Sequence, residues 1–254
     1  MGEYRVYYTV AAVFAIMSVI VFITLFYITA PYGRHSKASR GPFMSRRAGW
    51  IIMESPASVL LFLFFLAGEN AAGPGLVVFF LLWQAHYMYR SFIYPLSLPR
   101  AGHMPASIII PGFLFNVVNS YLQGMWFFHL CPAGTYSSLW FLDPRFIAGF
   151  ALFVAGLYIN RKADRMLREL RGRGEGGYSI PRGWLYELVS CPNYMGEIIE
   201  WTGWAVMTWS LPGLIFAIWT FANLFPRARS HHLWYRQNFP EYPDDRKAVI
   251  PGIF

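Results

Sequence analysis

Residues 6–33 read VYYTVAAVFAIMSVIVFITLFYITAPYG, 28 positions without one Asp, Glu, Lys, Arg or His. A helix rises ~1.5 Å per residue and needs ~20 residues to cross ~30 Å of hydrocarbon, so this run is long enough to span a bilayer. No short basic region precedes it, and it exceeds the ~7–15 apolar residues of a signal-peptide core, so it is expected to remain as a first transmembrane helix. The composition around it points the same way. Of the 254 residues 56% are hydrophobic, 19% aromatic and only 13% charged, whereas soluble domains carry about 25% charged residues.

The same template, moved along the chain, picks out about seven segments: 7–28, 48–66, 75–89, 105–130, 145–160, 184–209 and 211–226. The fifth and seventh are short at their apolar cores but continue into amphipathic, Arg-bearing stretches. Positive charge orients the set. Arg34, Lys37, Arg40, Arg46 and Arg47 follow the first segment, Arg90 and Arg100 the third, seven basic residues from Arg161 to Arg182 the fifth, and five from Arg227 to Lys247 the seventh. Of 21 Lys and Arg, only Arg5 and Arg145 fall on the other side. The amino terminus is therefore expected outside and the carboxyl terminus in the cytoplasm, which requires an odd number of spans. No internal repeat and no loop of domain length interrupts the pattern. The expected fold is an all-α integral membrane protein of about seven transmembrane helices, forming one domain over residues 1–254.

A net charge of +8 raises nucleic acid as a partner, but the basic residues lie in short blocks between apolar runs and read as loop charges. Cys131 and Cys191 form no CxxC pair and fall near opposite faces, which speaks against thiol redox chemistry. His231 and His232 are adjacent, with no second cluster at ligand spacing, so no metal site is expected. Gly172, Gly174 and Gly177 match GxGxxG, but that motif needs a strand before it and a helix opening on it. Here it follows an Arg-rich helix and reads as a loop.

Ionisable groups inside a transmembrane segment cost at least ~2.5 kcal/mol on insertion scales, which makes each one a site hypothesis. Glu54 lies seven residues beyond Arg47, ~10 Å into the second segment. Tyr87 lies three residues before Arg90, ~5 Å from the same boundary. The two can meet, as a structural pair holding two helices or as a site. Asn193, Glu197 and Glu200 fall on one face of the sixth segment at i, i+4 and i+7. Just before them, Ser190 reads as a helix cap with Pro192 in the first turn, giving either free N–H groups for an anion or a simple kink. Asn160, Asp164 and Arg171 continue the fifth segment at helical spacing, and Asn223, Arg227, His231 and Tyr235 continue the seventh. Each stripe alone fits lipid headgroups. Together they suggest a pocket for a long anionic molecule entered from the cytosol.

These residues lie in stretches that resemble the steroid 5α-reductase family, the 3-oxo-5α-steroid 4-dehydrogenases. The most specific stretch is Asn193-Tyr194-Met195-Gly196-Glu197-Ile198-Ile199-Glu200-Trp201, followed by Thr208-Trp209-Ser210-Leu211-Pro212 and the ending Arg246 to Phe254. Met53-Glu54 after Trp50, His86-Tyr87 before Arg90, and Asn160 with Asp164 extend the likeness over most of the chain. The resemblance implies a seven-helix fold, NADPH as hydride donor, and reduction of the C4=C5 double bond of a 3-oxo-Δ4-steroid such as testosterone or progesterone. It implies that Glu54 and Tyr87 bind the 3-oxo group and that Trp50 and Trp201 line the substrate pocket. Asn160, Asp164, Arg171, Tyr178, Asn193, Glu197, Arg227, His231 and Tyr235 would hold NADPH. The chain departs from the family pattern at Met53, often Gln, and at Ser179, where relatives carry Arg. The implied partners are the steroid and membrane lipids, with no nucleic acid and no obligate protein partner, in a bacterial inner membrane or the endoplasmic reticulum.

The chemistry suits these residue types. Hydride added to the β carbon of an enone leaves an enolate, so donors are needed on the carbonyl oxygen. A Tyr hydroxyl and a carboxyl kept protonated by apolar surroundings are expected to supply them. The alternative within enzymes is a polyprenol or trans-2-enoyl-CoA reductase, which resembles the carboxyl-terminal half. A membrane methyltransferase using S-adenosylmethionine shares that region too, but its cofactor has no phosphate for the Arg residues to bind. A transporter would show two related halves, and none is visible.

Overall fold

The computed structural model describes residues 2–30, 42–68, 73–98, 102–173 and 178–254, with the backbone alone for 171–173. Arg34, Lys37, Arg40 and Arg100 of the charge pattern, and Gly174 and Gly177 of the glycine motif, lie outside the described residues. The described residues are mostly helical. They include α1 Gly2–Tyr27, α2 Arg46–Ala67, α3 Pro74–Met88, the one-turn α4 Tyr94–Ser97, α5 Ala106–Met125, α6 Pro144–Arg173, α7 Pro192–Thr208 and α8 Leu211–Asn238. Four stretches are long and apolar enough to cross a membrane by length and composition: Gly2–Tyr27, Arg46–Ala67, Ala106–Leu130 and Pro144–Leu170. A lipid surrounding fits the surface of α1. Tyr7, Ala11, Phe14 and Ser18 are buried at helical spacing, while Val13, Ile16, Ile20 and Ile23 face outward, an arrangement that water would penalise along a whole helix.

The chain divides into two compact units, residues 1–14 with 30–147 and residues 15–29 with 148–254. In the first, β1 Phe43–Ser45 and β2 His103–Pro105 pair antiparallel, Met44 opposite Met104. This short pair and an isolated parallel bridge between Val189 and Lys247 depart from an all-helical reading among the described residues. The pair ties the starts of α2 and α5 together, so the two helices leave the same end side by side. Ser45 caps α2 by accepting from the Ala48 N–H at 3.3 Å, which satisfies one orphan donor of the first turn. The helix of α3 does not stop at Met88 but runs through a π-helical turn, Tyr89–Ile93, into α4. Arg90, expected as a loop charge, is thereby held on a helix. The first half of α1 lies against α5, where the Tyr7 hydroxyl donates to Leu122 O at 3.3 Å and the Phe14 and Phe115 rings stand 5.6 Å apart.

In the second unit α7 starts at Pro192, not at 184. Residues 184–187 form a single 3-10 turn, entered through Gly183 at φ 87° and Trp184 at φ 52°. The next residues cannot join a helix because their backbone is already committed: Ser190 and Cys191 donate their N–H groups to Lys247 O and Ala248 O. Ser190 is therefore not the helix cap. Cys191 takes that position without a side-chain bond, and Pro192 occupies the first turn as expected.

α6 and α7 pack backbone to backbone through glycines seven residues apart, Gly149 and Gly156 on one helix, Gly196 and Gly203 on the other. A Cβ on Gly156 would strike the backbone N of Glu200, and one on Gly196 the backbone N of Asn160. Such small-residue seams let helices meet closely where no water drives them together.

Candidate active site

Polar side chains gather in both units. In the first, Glu54 on α2 is 9% exposed. Its Oε1 lies 3.6 Å from Arg90 Nε, and its Oε2 3.4 Å from the Asn116 amide on α5. The guanidinium of Arg90 also covers the Trp50 ring at 4.6 Å and the Tyr94 ring at 5.4 Å. A cation over an indole in a site with little water gains both from the ring quadrupole and from low screening. The expected apolar surroundings of Glu54 thus contain a counter-charge, so its carboxylate form has a partner.

Tyr87 is 3% exposed. It follows Trp83 by one turn, their rings 4.7 Å apart, and precedes Arg90 by three residues, so the three share one face of the helix. Both neighbours on that face touch α2: the Trp83 indole donates to Ala57 O at 2.8 Å, and Arg90 pairs with Glu54. Glu54 and Tyr87 therefore lie on facing sides of the α2–α3 contact.

Pro56 sits inside α2 and opens its hydrogen-bond ladder there, since it has no N–H to give. Side chains from the neighbouring helices reach the carbonyls around it. Asn116 donates to Met53 O at 2.8 Å, Gln84 to Ser58 O at 2.9 Å, and Ser120 to Pro56 O at 3.4 Å. Pro56 itself frees Ile52 O, four residues before it, and these donors bind other carbonyls of the same stretch, a set of bonds that ties it to the neighbouring helices. The same bonds fix the turn that carries Glu54.

In the second unit the glycine seam brings two stripes into register. Asn160 donates to Asn193 O at 3.0 Å and approaches Glu197 Oε2 at 3.4 Å, while Asn193 donates to Asp164 Oδ1 at 3.1 Å. A second group lies between α7 and α8. The Tyr194 hydroxyl is 3.3 Å from His231 Nε2, and Arg227 stands over the Tyr194 ring at 5.8 Å and reaches Asn223 at 3.5 Å. A third is aromatic: Tyr235 stacks on Tyr242 at 5.2 Å, and Tyr178, 42% exposed, meets Trp234 edge-on at 5.3 Å. Arg171 lies on α6, but its side chain is outside the described residues. Trp201 is 1% exposed and packs on Phe216 at 4.3 Å and Phe153 at 6.0 Å, in the core of this unit.

Ser190, freed from capping, becomes a hub. Its Oγ lies 2.7 Å from His232 Nδ1 and 2.6 Å from the Tyr242 hydroxyl, and it also approaches Lys247 O. Desolvation holds His232 below its ordinary pKa, helped by the charges of Arg236, Lys247 and Arg246. Lys247 O can only accept, so Ser190, with one hydrogen to give, donates either there or to the Nδ1 of a neutral ring, according to the tautomer.

Sequence reasoning passed over Arg90, Asn116 and the four glycines of the α6–α7 seam. The seven-residue glycine spacing on both helices is a signal that could have revealed the seam. Asn116, Asn119, Ser120 and Gln123 share one helical face inside an apolar run, and that pattern could have revealed the polar side of α5.

Comparison with known proteins gives concordant matches. The family described as 3-oxo-5-alpha-steroid 4-dehydrogenase matches residues 102–254. Steroid 5-alpha-reductase DET2 of Gossypium hirsutum is 45% identical over 237 residues, 91% of each chain. The protein of the same name from Arabidopsis thaliana is 44% identical over 239 residues, 91% of this chain and 90% of its own. 3-oxo-5-alpha-steroid 4-dehydrogenase 1 of Homo sapiens is 40% identical over 227 residues, 88% of this chain and 86% of its own.

Proposed function

The chain belongs to the 3-oxo-5-alpha-steroid 4-dehydrogenase family of oxidoreductases, and from that premise we propose that it reduces the C4=C5 double bond of 3-oxo-Δ4-steroids, with NADPH as donor. The observation that carries this reading is the buried group of Glu54, Arg90 and Tyr87 among Trp50, Trp83 and Tyr94. It offers a hydroxyl donor and a positive charge on one apolar helix contact, where a flat ketone can lie.

When bound, NADPH would supply the hydride that adds to C5, and a proton from water or a nearby side chain would complete the reduction at C4. The residues of the second unit suit such a cofactor. Asn160, Asp164, Asn193 and Glu197 present amide and carboxylate groups to amide and ribose functions, and Arg227, with Arg171 on the same basic side, supplies guanidinium forks for phosphates. Tyr178, His231 and Tyr235 complete the set with aromatic faces and a second ring nitrogen. The chain's own part in the reaction is to hold the 3-oxo oxygen. As charge grows on that oxygen, the Tyr87 hydroxyl donates to it, and Glu54 and Arg90 keep the surrounding field fixed, which is worth most where no water reorganises.

The relatives' matches include the amino-terminal half with Glu54 and Tyr87, which supports a steroid enone over a polyprenol or enoyl-CoA. We place the protein in the membrane with seven spans, α3, α7 and α8 joining the four long apolar stretches, and with the amino terminus outside. Assay of the purified protein with NADPH against testosterone, a polyprenol and a trans-2-enoyl-CoA tests the substrate class. Turnover of testosterone alone is expected, and turnover of either other substrate without testosterone would overturn the reading.

A further inference from the structure

α5 carries Asn116, Asn119, Ser120 and Gln123 along one helical face, all no more than 3% exposed. Asn116 and Ser120 are tied to α2, as described above. The Asn116 Nδ2 faces two oxygens, Met53 O at 2.8 Å and Glu54 Oε2 at 3.4 Å. Only the NH2 end of the amide suits that pair, so Oδ1 points away from them. Oδ1 has no partner among the described residues, and neither does the Nδ2 of Asn119, one turn further along. A buried polar atom left unmatched lowers stability, and lipid outside the helices cannot relieve it.

One acceptor and one donor thus stand three residues apart, ~5–6 Å between their Cβ atoms. A single oxygen that carries a hydrogen satisfies both: its O–H donates to Asn116 Oδ1, and its lone pair accepts from Asn119 Nδ2, at ~2.7–3.0 Å from each. A ketone oxygen satisfies only Asn119, and an alkyl group satisfies neither. We propose that Asn116 and Asn119 form a hydroxyl-binding subsite beside Glu54, filled by a hydroxyl of the substrate or by an ordered water. This rests on the reading of Glu54 as part of the ketone site. A substrate hydroxyl there makes the pair a determinant of which steroids are accepted. A water there makes it part of the site's wall, bonded to the same amide that holds Glu54.

The test is Asn119→Leu, close in shape and without the donor, with Asn119→Ser as a smaller variant should Leu impair folding. The probes are testosterone and androst-4-en-3-one, which lacks the 17-hydroxyl, each read as KM and kcat, together with the Tm of the steroid-free protein. If the subsite takes the substrate hydroxyl, KM for testosterone rises about tenfold, one hydrogen bond's worth, while KM for the deoxy steroid stays constant. If it holds water, both substrates are affected alike and Tm falls, because Asn116 Oδ1 loses its indirect partner. Wild-type kinetics on both steroids with an equal or higher Tm overturns the proposal, since an apolar replacement then merely removes an unmade bond. Should the wild-type protein reduce neither steroid, the enone reading fails, and Tm alone decides the subsite: a fall supports it and a rise overturns it.

Discussion

Glu54 is held from two sides, by the Arg90 guanidinium at 3.6 Å and the Asn116 amide at 3.4 Å. Removing one member of a buried ion pair leaves the other uncompensated and costs ~3–5 kcal/mol, whereas removing both is often near neutral. Glu54→Gln is therefore expected to destabilise the protein as well as to slow it. The double variant Glu54→Gln/Arg90→Gln should recover the stability without recovering the activity. Denaturation and turnover measured on the same four proteins close this cycle, and recovery of both together would show that the pair acts structurally alone.

Ser190 and His232 give a second test at this scale. The folded pKa of His232 is lowered, so across the window below the unfolded value of ~6.5 the unfolded chain binds the extra proton and stability rises with pH. Tm should fall as the pH drops below ~6.5 and acid protonates this ring, buried beside Arg236, Arg246 and Lys247. In His232→Gln that part of the slope should vanish; an unchanged slope would assign the acid loss to other groups.

Among the elements, the α6–α7 seam decides whether the second site exists at all. Asn160 meets Asn193 only because glycines let the two backbones touch. Gly156→Leu puts a side chain against the backbone at Glu200, which cannot move aside as a side chain would, so the cost should reach or exceed the ~1–3 kcal/mol typical of overpacking. Tm should drop, and KM for NADPH should rise more than KM for steroid. Gly2→Ala, at a position with nothing within 4 Å of the added carbon, is the control.

This seam also shows why the sequence was readable in part. The stripes Asn160–Asp164 and Asn193–Glu197 follow from the helical period alone, because spacing converts directly into a shared face. Their mutual register does not, since it depends on how closely two backbones approach. The start of α7 was misplaced for a similar reason: Ser190 and Cys191 are drawn out of the helix by Lys247 and Ala248, a pairing more than fifty residues away in the chain. Arg90 looked like a boundary charge because an apolar count ends near Tyr89, while the backbone continues through a π turn.

At the scale of the molecule, the number and direction of spans rest on the charge pattern and on helix length. Four stretches are long and apolar enough to cross by themselves. α3 and α7 have only 15 and 17 residues, so the seven spans proposed need continuation beyond these two helices, which hydropathy alone does not express. Single cysteines placed at Glu3 and in the 161–183 stretch, in a chain freed of Cys131 and Cys191, should react with impermeant reagents from the outside and the cytoplasmic side respectively. Labelling of both from one side would contradict the odd number of spans.

The central claim is that the Glu54–Arg90–Tyr87 group holds the ketone oxygen while charge builds on it. It is tested most directly by the kcat for NADPH-dependent reduction of testosterone in wild type and Tyr87→Phe, with NADPH affinity measured on both. Loss of one such donor typically costs ~10²-fold to 10³-fold, so the account predicts a fall of that size with cofactor affinity unchanged. A Tyr87→Phe enzyme that forms the 5α-dihydro product at a near-native rate would contradict it.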